Sequence, residues 1–160
     1  MVNAFPNAVG AFARGVHRFP VRVYFEDTDL SGVVYHANYL RYMERARSDT
    51  LWCAGVDQRG AFERGEGVYA VADLSIRFRA PARLDDDLIV ETCLLRAFGP
   101  TAKMTQRVVR PDPVGDVVLT EATVLAAWLT LDGRPQRQPR DWIDTFNRLR
   151  EESAQMIEAL

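Results

Sequence analysis

Hydrophobic and polar positions first settle into a regular pattern at Phe19, Val21, Val23 and Phe25, which alternate with Arg22, Tyr24 and Glu26. A period of two predicts a strand with one buried face near 19–26. The polar run Asp27-Thr28-Asp29-Leu30-Ser31-Gly32 breaks it and reads as a loop. From about Asn38 to Ala54 the period becomes helical. Tyr39, Tyr42, Met43, Ala46, Thr50 and Cys53 fall on one side, while Arg41, Arg45, Ser48 and Asp49 lie largely elsewhere. Asn38 is the expected N-cap and Gly55 the expected stop. Such a helix is about 25 Å long at the usual rise.

Residues 56–66 are charged and punctuated by glycine, with room for one helical turn. Alternating strands are predicted at 68–79, 88–98 and 102–110, separated by Pro81 with Asp85-Asp86-Asp87 and by Gly99-Pro100. After Pro111-Asp112-Pro113 and Gly115 a long strand is expected near 117–131. It is apolar on both faces, with Leu119, Leu125 and Leu129 set against Ala122, Val124 and Trp128. A sheet buried on both sides needs a helix on one face and something else on the other, here a second subunit. A final helix over 140–158 carries Trp142, Phe146, Leu149 and Met156 on one stripe. The order is an α+β arrangement: an antiparallel sheet of about five strands around one long central helix. Residues 1–16 read as a loose or partly ordered leader, 17–139 as the domain and 140–160 as a C-terminal helix.

Bulk composition narrows the class. The 160 residues suit one domain, and 48% hydrophobic with 26% charged residues is ordinary for a globular protein. A net charge of −2 and a pI near 5.7 argue against nucleic acid as a general partner. Cys53 and Cys93 sit in apolar stretches and read as small buried hydrophobes, pointing to a reducing compartment. With only His17 and His36 besides, no group has zinc-ligand spacing, and no metal is expected. No run approaches the roughly 18 apolar residues of a membrane span. Pro6 and Gly10 interrupt an N-terminus without a basic segment, so a cytoplasmic location is expected.

The least generic stretch runs from Tyr24 to Arg47, where a loop delivers the chain into the N-terminus of the long helix. That end presents unpaired N–H groups and a positive dipole, suited to an oxyanion. Asp29, seven residues before His36, supplies a carboxylate for acyl transfer. Plainer readings exist for each residue. Asp27 and Asp29 suit turns that bond their own backbone, and His36 suits a structural hydrogen bond. Glu44 suits a solvated pair with Arg41 or Arg47, and Tyr35, Tyr39 and Tyr42 suit packing. Spacing alone stops at a hydrolytic site near 27–44.

Ordered motifs carry the reading further. Pro20-Val21-Arg22-Val23-Tyr24, Glu26-Asp27-Thr28-Asp29, Gly32-Val33-Val34-Tyr35-His36, Tyr39 and Glu44-Arg45-Ala46-Arg47 together resemble the 4-hydroxybenzoyl-CoA thioesterase-like hotdog family. They closely resemble its Tol–Pal-associated, YbgC-type branch. Phe78-Arg79-Ala80-Pro81-Ala82-Arg83-Leu84-Asp85-Asp86 and Thr105-Gln106-Arg107-Val108-Val109 resemble the same branch, over a span from Phe19 to Pro139. The resemblance implies a hotdog fold and hydrolysis of acyl-CoA thioesters. It also implies active sites shared between subunits of a dimer, often paired into tetramers. The family's catalytic aspartate falls on Asp29 and its histidine on His36, with the backbone N–H there polarising the carbonyl. Tyr35, Tyr39 and Glu44 become candidate substrate contacts. Phe25 departs from the tyrosine common in this branch.

In this reading Asp29 either attacks the carbonyl or deprotonates a water, and no metal or redox cofactor is required. The rival readings are a hotdog dehydratase or hydratase and a non-catalytic, envelope-associated acyl-binding protein. The phosphates of coenzyme A call for a basic outer site, for which Arg77, Arg79 and Arg83 are the candidates; the alternative for them is a solvated strand edge.

Overall fold

A computed structural model describes residues 9–158, with side chains to residue 155. In chain order the elements are β1 (Ala11–Ala13), β2 (Val16–Arg22), a 3-10 turn (Phe25–Asp27), α1 (His36–Cys53), α2 (Gln58–Glu63), β3 (Val68–Phe78), β4 (Asp87–Phe98), β5 (Thr101–Arg110), β6 (Val117–Leu129) and α3 (Arg140–Glu158). All strands join one antiparallel sheet in the order β1-β2-β4-β5-β6-β3.

The sheet wraps α1. Tyr39, Tyr42, Met43 and Ala46 on the helix join Val90, Met104, Val108, Ala122, Val124 and Trp128 in a single core. Ala46 is fully buried, and its small side chain lets the helix sit close against the strands. The helix stops where Gly55, at φ 80°, turns back: its N–H bonds Trp52 O and the N–H of Val56 bonds Leu51 O, closing the last turn. The start differs from expectation. Tyr35 is the capping residue, and Asn38 lies inside the helix with Nδ2 donating to Asp27 O at 2.9 Å.

Three further differences have physical causes. The first long strand ends at Arg22 and not near Glu26, because the chain tightens into the 3-10 turn and leaves Phe25 exposed. The sheet has six strands, the extra one being β1 from the expected leader. Residues 1–8 of that leader lie outside the described residues. Lastly, the outward side of β6 carries Glu121 and Thr123 beside Leu125 and is only half-buried, so it is less apolar than its sequence suggests.

A buried polar cluster fastens the N-terminal hairpin to α1. Asp49, read above as lying away from the core face, is 1% exposed. Its carboxylate accepts Val9 N and Gly10 N, each at 2.9 Å, and lies 2.7 Å from His17 Nε2. Gly10 has no room for a side chain: a Cβ there would stand 2.5 Å from Arg18 O and 2.8 Å from Asp49 Oδ2. On the other side, α3 closes over the β1–β2 turn and packs along β4, burying Trp142, Phe146 and Leu149. Met156 lies beyond the described side chains.

Burial holds the His17 pKa below its ordinary 6.5, against the opposing pull of Asp49. The unfolded chain therefore takes up a proton that the folded ring resists. This contribution to stability is full above pH 6.5 and is lost as pH falls below it. Urea midpoints should accordingly drop between pH 7.5 and 5.5, and His17→Gln should flatten that drop. Asp49→Ala, which strands two buried N–H donors and the ring, should cost about 3 kcal/mol in the same experiment.

Candidate active site

The site is built by the segment that enters α1. Asp29 N–H bonds Val33 O and Gly32 N–H bonds Asp29 O, both at 3.0 Å, making a tight turn. Gly32 sits in it at φ 79°, a conformation costly for any residue with a side chain. Val34 N–H bonds Ala82 O at 2.9 Å, and Val33 faces Arg83 across an isolated bridge, so the turn rests on the 80–83 segment. Its other support is Asp27 O, which accepts both Tyr35 N–H and Asn38 Nδ2, each at 2.9 Å.

Asp29 is exposed at the head of this turn. Its Oδ1 accepts Ser31 N–H at 2.8 Å and a short hydrogen bond from the Ser31 hydroxyl. Those two bonds, with the nearby His36 adding attraction, hold the carboxyl below its usual range, so it is ionised at neutral pH. Oδ2 has no donor among the described residues. The turn reading of Asp29 is thus correct as geometry, yet one oxygen remains available for chemistry.

At the helix start, Tyr35 offers no side-chain cap, and His36 and Ala37 N–H find no acceptor among the described residues. The His36 ring is exposed and braced by Tyr35, at 4.5 Å between centroids, and by Phe78 at 6.1 Å. Beside it a cavity of about 290 Å³ is lined by Val34, His36, Tyr39, Phe78, Arg79 and Pro81.

The remaining candidates divide. Asp27 is committed to structure, its carboxylate accepting Tyr24 N–H at 2.8 Å. Tyr39 is buried and its hydroxyl accepts Ala82 N–H at 2.9 Å, so it chiefly holds the 80–83 segment. Glu44 does not pair with Arg41 or Arg47; it lines a second cavity, of about 310 Å³, between the middle of α1, the start of β3 and the inner sheet face. Arg77 and Arg79 point to the outer face of the sheet, into a basin of about 650 Å³. There Arg79 Nε lies 2.5 Å from Glu121. Arg83 stands apart from them, beside the Asp29 turn.

Sequence spacing missed two features. Arg47 lines the second cavity and bonds Gln106 Oε1 at 2.9 Å, a contact across 59 positions that no local pattern announces. His17, Asp49 and Cys53 come together with ligand atoms within 4.8 Å. A direct Nε2···Oδ2 distance of 2.7 Å is shorter than two zinc ligands about 2.0 Å from one ion would show, so the cluster reads as a hydrogen-bonded staple. Burial pushes the Cys53 thiol up to about 11, which keeps it protonated.

Comparison with known proteins places this geometry. Residues 31–117 match the Thioesterase superfamily. The acyl-CoA thioesterase YbgC of Haemophilus influenzae is 38% identical over 133 residues, 82% of this chain and 95% of that protein. A probable thioesterase from Bartonella henselae superposes with a TM-score of 0.71 at 35% identity, over 78% of this chain and 99% of that one. For 4-hydroxybenzoyl-CoA thioesterase from Pseudomonas sp. strain CBS-3 the TM-score is 0.73 at 25% identity, covering 81% and 98%. A sheet wrapped around one helix, a superfamily match over more than half the chain, and shared sequence along nearly the full length of such relatives agree: this chain belongs to the thioesterase superfamily and has its hotdog fold.

Proposed function

We propose that the chain hydrolyses acyl-CoA thioesters to a free acid and coenzyme A, with Asp29 as the catalytic carboxylate. The observation that carries this reading is the pairing of an ionised Asp29 with a free Oδ2 and a helix start whose His36 and Ala37 N–H groups are unspent. Those N–H groups polarise the thioester carbonyl and take up the charge that develops on its oxygen. Asp29 either adds to the carbonyl carbon, giving an anhydride that water then cleaves, or removes a proton from the water that adds. In both routes the C–S bond breaks and the thiolate leaves, taking a proton near its pKa of roughly 8.5. His36, braced by two rings, orients the substrate and is not needed as a strong acid. The chemistry calls for no metal and no cofactor.

The reading includes a partner subunit. β3 is an edge strand of eleven residues, with Val71, Asp73, Ser75, Arg77 and Phe78 exposed. An unpaired edge of that length invites antiparallel pairing with its own copy. Around the site Phe25 (82% exposed), Leu30 (106%), Tyr24, Tyr35 and Leu84 also face outward, an apolar surface that a second copy would cover. Pairing about the middle of β3 sets the Phe78 end of one strand beside the Tyr69–Val71 end of the other. A dimer, and from the family resemblance a tetramer, is therefore expected. Tyr35, with Tyr39 behind it, walls the substrate channel, and Glu44 contacts the acyl group from the partner side. Arg77, Arg79 and Arg83 meet the phosphates of coenzyme A. Among the described residues no helix is long and apolar enough to cross a membrane. Free Cys53 and Cys93 suit action in the cytoplasm, and association with the Tol–Pal system rests on the family motifs.

Asp29→Asn should lower turnover of acyl-CoA by about 10² to 10⁴ with the fold intact, measured by thiol release. Near-normal turnover would sink the assignment. Asp27→Asn should act mainly on stability, and His36→Ala should cost less turnover than Asp29→Asn; a larger loss there would favour histidine-centred dehydratase chemistry. Light scattering should give a mass of at least two chains, and a stable 18.1 kDa species would contradict the shared site. Reversing charge at Arg79 and Arg83 should raise KM for acyl-CoA with little change in kcat, and leave a short thioester without the nucleotide unaffected. Equal losses on both substrates would make these arginines structural.

A further inference from the structure

Three buried side-chain atoms have no hydrogen-bond partner among the described residues: His17 Nδ1, Thr120 Oγ1 and the Tyr42 hydroxyl. His17 is tied through its other ring nitrogen to Asp49 in the N-terminal staple. Tyr42 is 1% exposed. Packing accounts for its ring, which meets Tyr39 edge-on at 6.2 Å between centroids, but not for its oxygen. A phenylalanine would fill the same space without an unmatched hydroxyl, so an oxygen this deep calls for a second role.

The helix aims that hydroxyl. Side chains on a helix lean toward its N-terminus, so the Tyr42 ring lies over the turn that begins at Asn38, four positions earlier on the same buried face. Asn38 Nδ2 bonds Asp27 O and marks where the two segments meet. Burial, and after it the Asp27 carboxylate that the hydroxyl faces, push the Tyr42 pKa up and keep the group protonated. Beside a carboxylate it can serve only as a donor. Asp27 is half spent: its Oδ2 accepts Tyr24 N–H at 2.8 Å, and Oδ1 has no donor among the described residues. An idle donor and a carboxylate with an idle oxygen therefore sit together behind the Asp29 turn.

We propose that Tyr42 is a positioning residue, whose hydroxyl closes on the Asp27 carboxylate when a substrate oxygen draws on the first turn of α1. The proposal rests on the thioesterase reading and adds a residue that no contact with substrate would reveal. It acts through Asp27 alone. The Asp27 carbonyl carries both Tyr35 N–H and Asn38 Nδ2, the two bonds that fix the direction of the helix start. A carboxylate gripped by Tyr24 on one oxygen and by Tyr42 on the other resists tilting, and so does the carbonyl of the same residue. The His36 and Ala37 N–H groups then stay aimed at the substrate oxygen. A neutral carbonyl draws on them weakly and an oxyanion strongly, so the new bond lowers the barrier more than it tightens binding.

Tyr42→Phe removes one oxygen and keeps the ring. Kinetics of the full-length protein on acyl-CoA should show kcat lowered about tenfold and KM changed by less than about twofold. The melting temperature should hold or rise, because the variant no longer buries an unmatched hydroxyl. In an Asp27→Ala background the same change should cost nothing further, since the hydroxyl acts only through that carboxylate. A dethia analogue of acyl-CoA, with CH2 in place of sulfur, gives a readout without turnover. On binding it, the His36 and Ala37 amide resonances should move less in Tyr42→Phe than in the unaltered protein, while Arg45 moves equally in both. Unchanged kcat in Tyr42→Phe, a joint fall of kcat and melting temperature, or a loss that persists in the Asp27→Ala background would overturn the proposal. So would identical amide shifts in the two proteins. An unaltered protein that hydrolyses no acyl-CoA would instead overturn the thioesterase reading, and the amide shifts would judge Tyr42 apart from it.

Discussion

One carbonyl oxygen governs the geometry of the site. Asp27 O takes Tyr35 N–H and Asn38 Nδ2 together, tying the end of the 3-10 turn to the first turn of α1. Because Asn38 spends its side chain backward on Asp27 and Tyr35 adds no cap, His36 and Ala37 keep their N–H groups free. A Ser, Thr or Asp cap in place of Tyr35 would strengthen the helix by roughly 1 kcal/mol and could take up the Ala37 donor. Local stability is forgone where donors are needed, a trade common at catalytic positions.

The second constraint is the open strand. β3 has one end at the Asp29–His36 segment, through Phe78 and His36, and the other at the cavity lined by Glu44 and Arg47. Within one chain these lie at opposite ends of an eleven-residue strand. In the proposed dimer, an antiparallel copy of the same strand would exchange the ends and bring the two together. The outward face of the sheet offers a less obvious partner surface. Arg77, Glu121, Arg107, Glu91 and Arg18 follow one another across neighbouring strands; Glu121 pairs with Arg79 and Glu91 with Arg107, while Arg77 has no ion-pair partner among the described residues.

Periodicity located the elements well because most are long and one-sided: β3, β4, β5 and α3 begin and end within a residue of expectation. It failed where a local turn outweighed the alternation, as at Tyr24–Asp27, and where a strand was too short to show a period, as at Ala11–Ala13. That Asp29 and His36 come close together was legible because both lie in one continuous segment, while the roles read from motif order stand as proposals. Arg47 and the Asp49 staple were not. Their partners Gln106 and His17 lie 59 and 32 positions away, and only the folded sheet brings them together. The doubly apolar pattern of β6 pointed to a partner, but the open edge and the exposed apolar residues that support the proposed one lie on β3 and around the Asp29 turn.

Three aspartates near α1 show how the fold sets the carboxylate proposed as catalytic apart from two structural ones. Asp49 is buried, and two backbone N–H groups with the His17 ring occupy it. Asp27 gives an oxygen to Tyr24 N–H and its carbonyl to the helix. Asp29 is bound only by Ser31, two residues away, and through a single oxygen. That arrangement aims the group and keeps it ionised while leaving Oδ2 free, and its exposure leaves it open to substrate. A carboxylate in water is a weak nucleophile because it is solvated, so in the proposed reaction Asp29 would gain strength once a partner subunit and an acyl chain excluded that water. The apolar side chains around it, Phe25, Leu30 and Tyr35, are what such a partner would close upon. Assembly and catalysis then depend on the same surface, and a change that blocks one should remove the other.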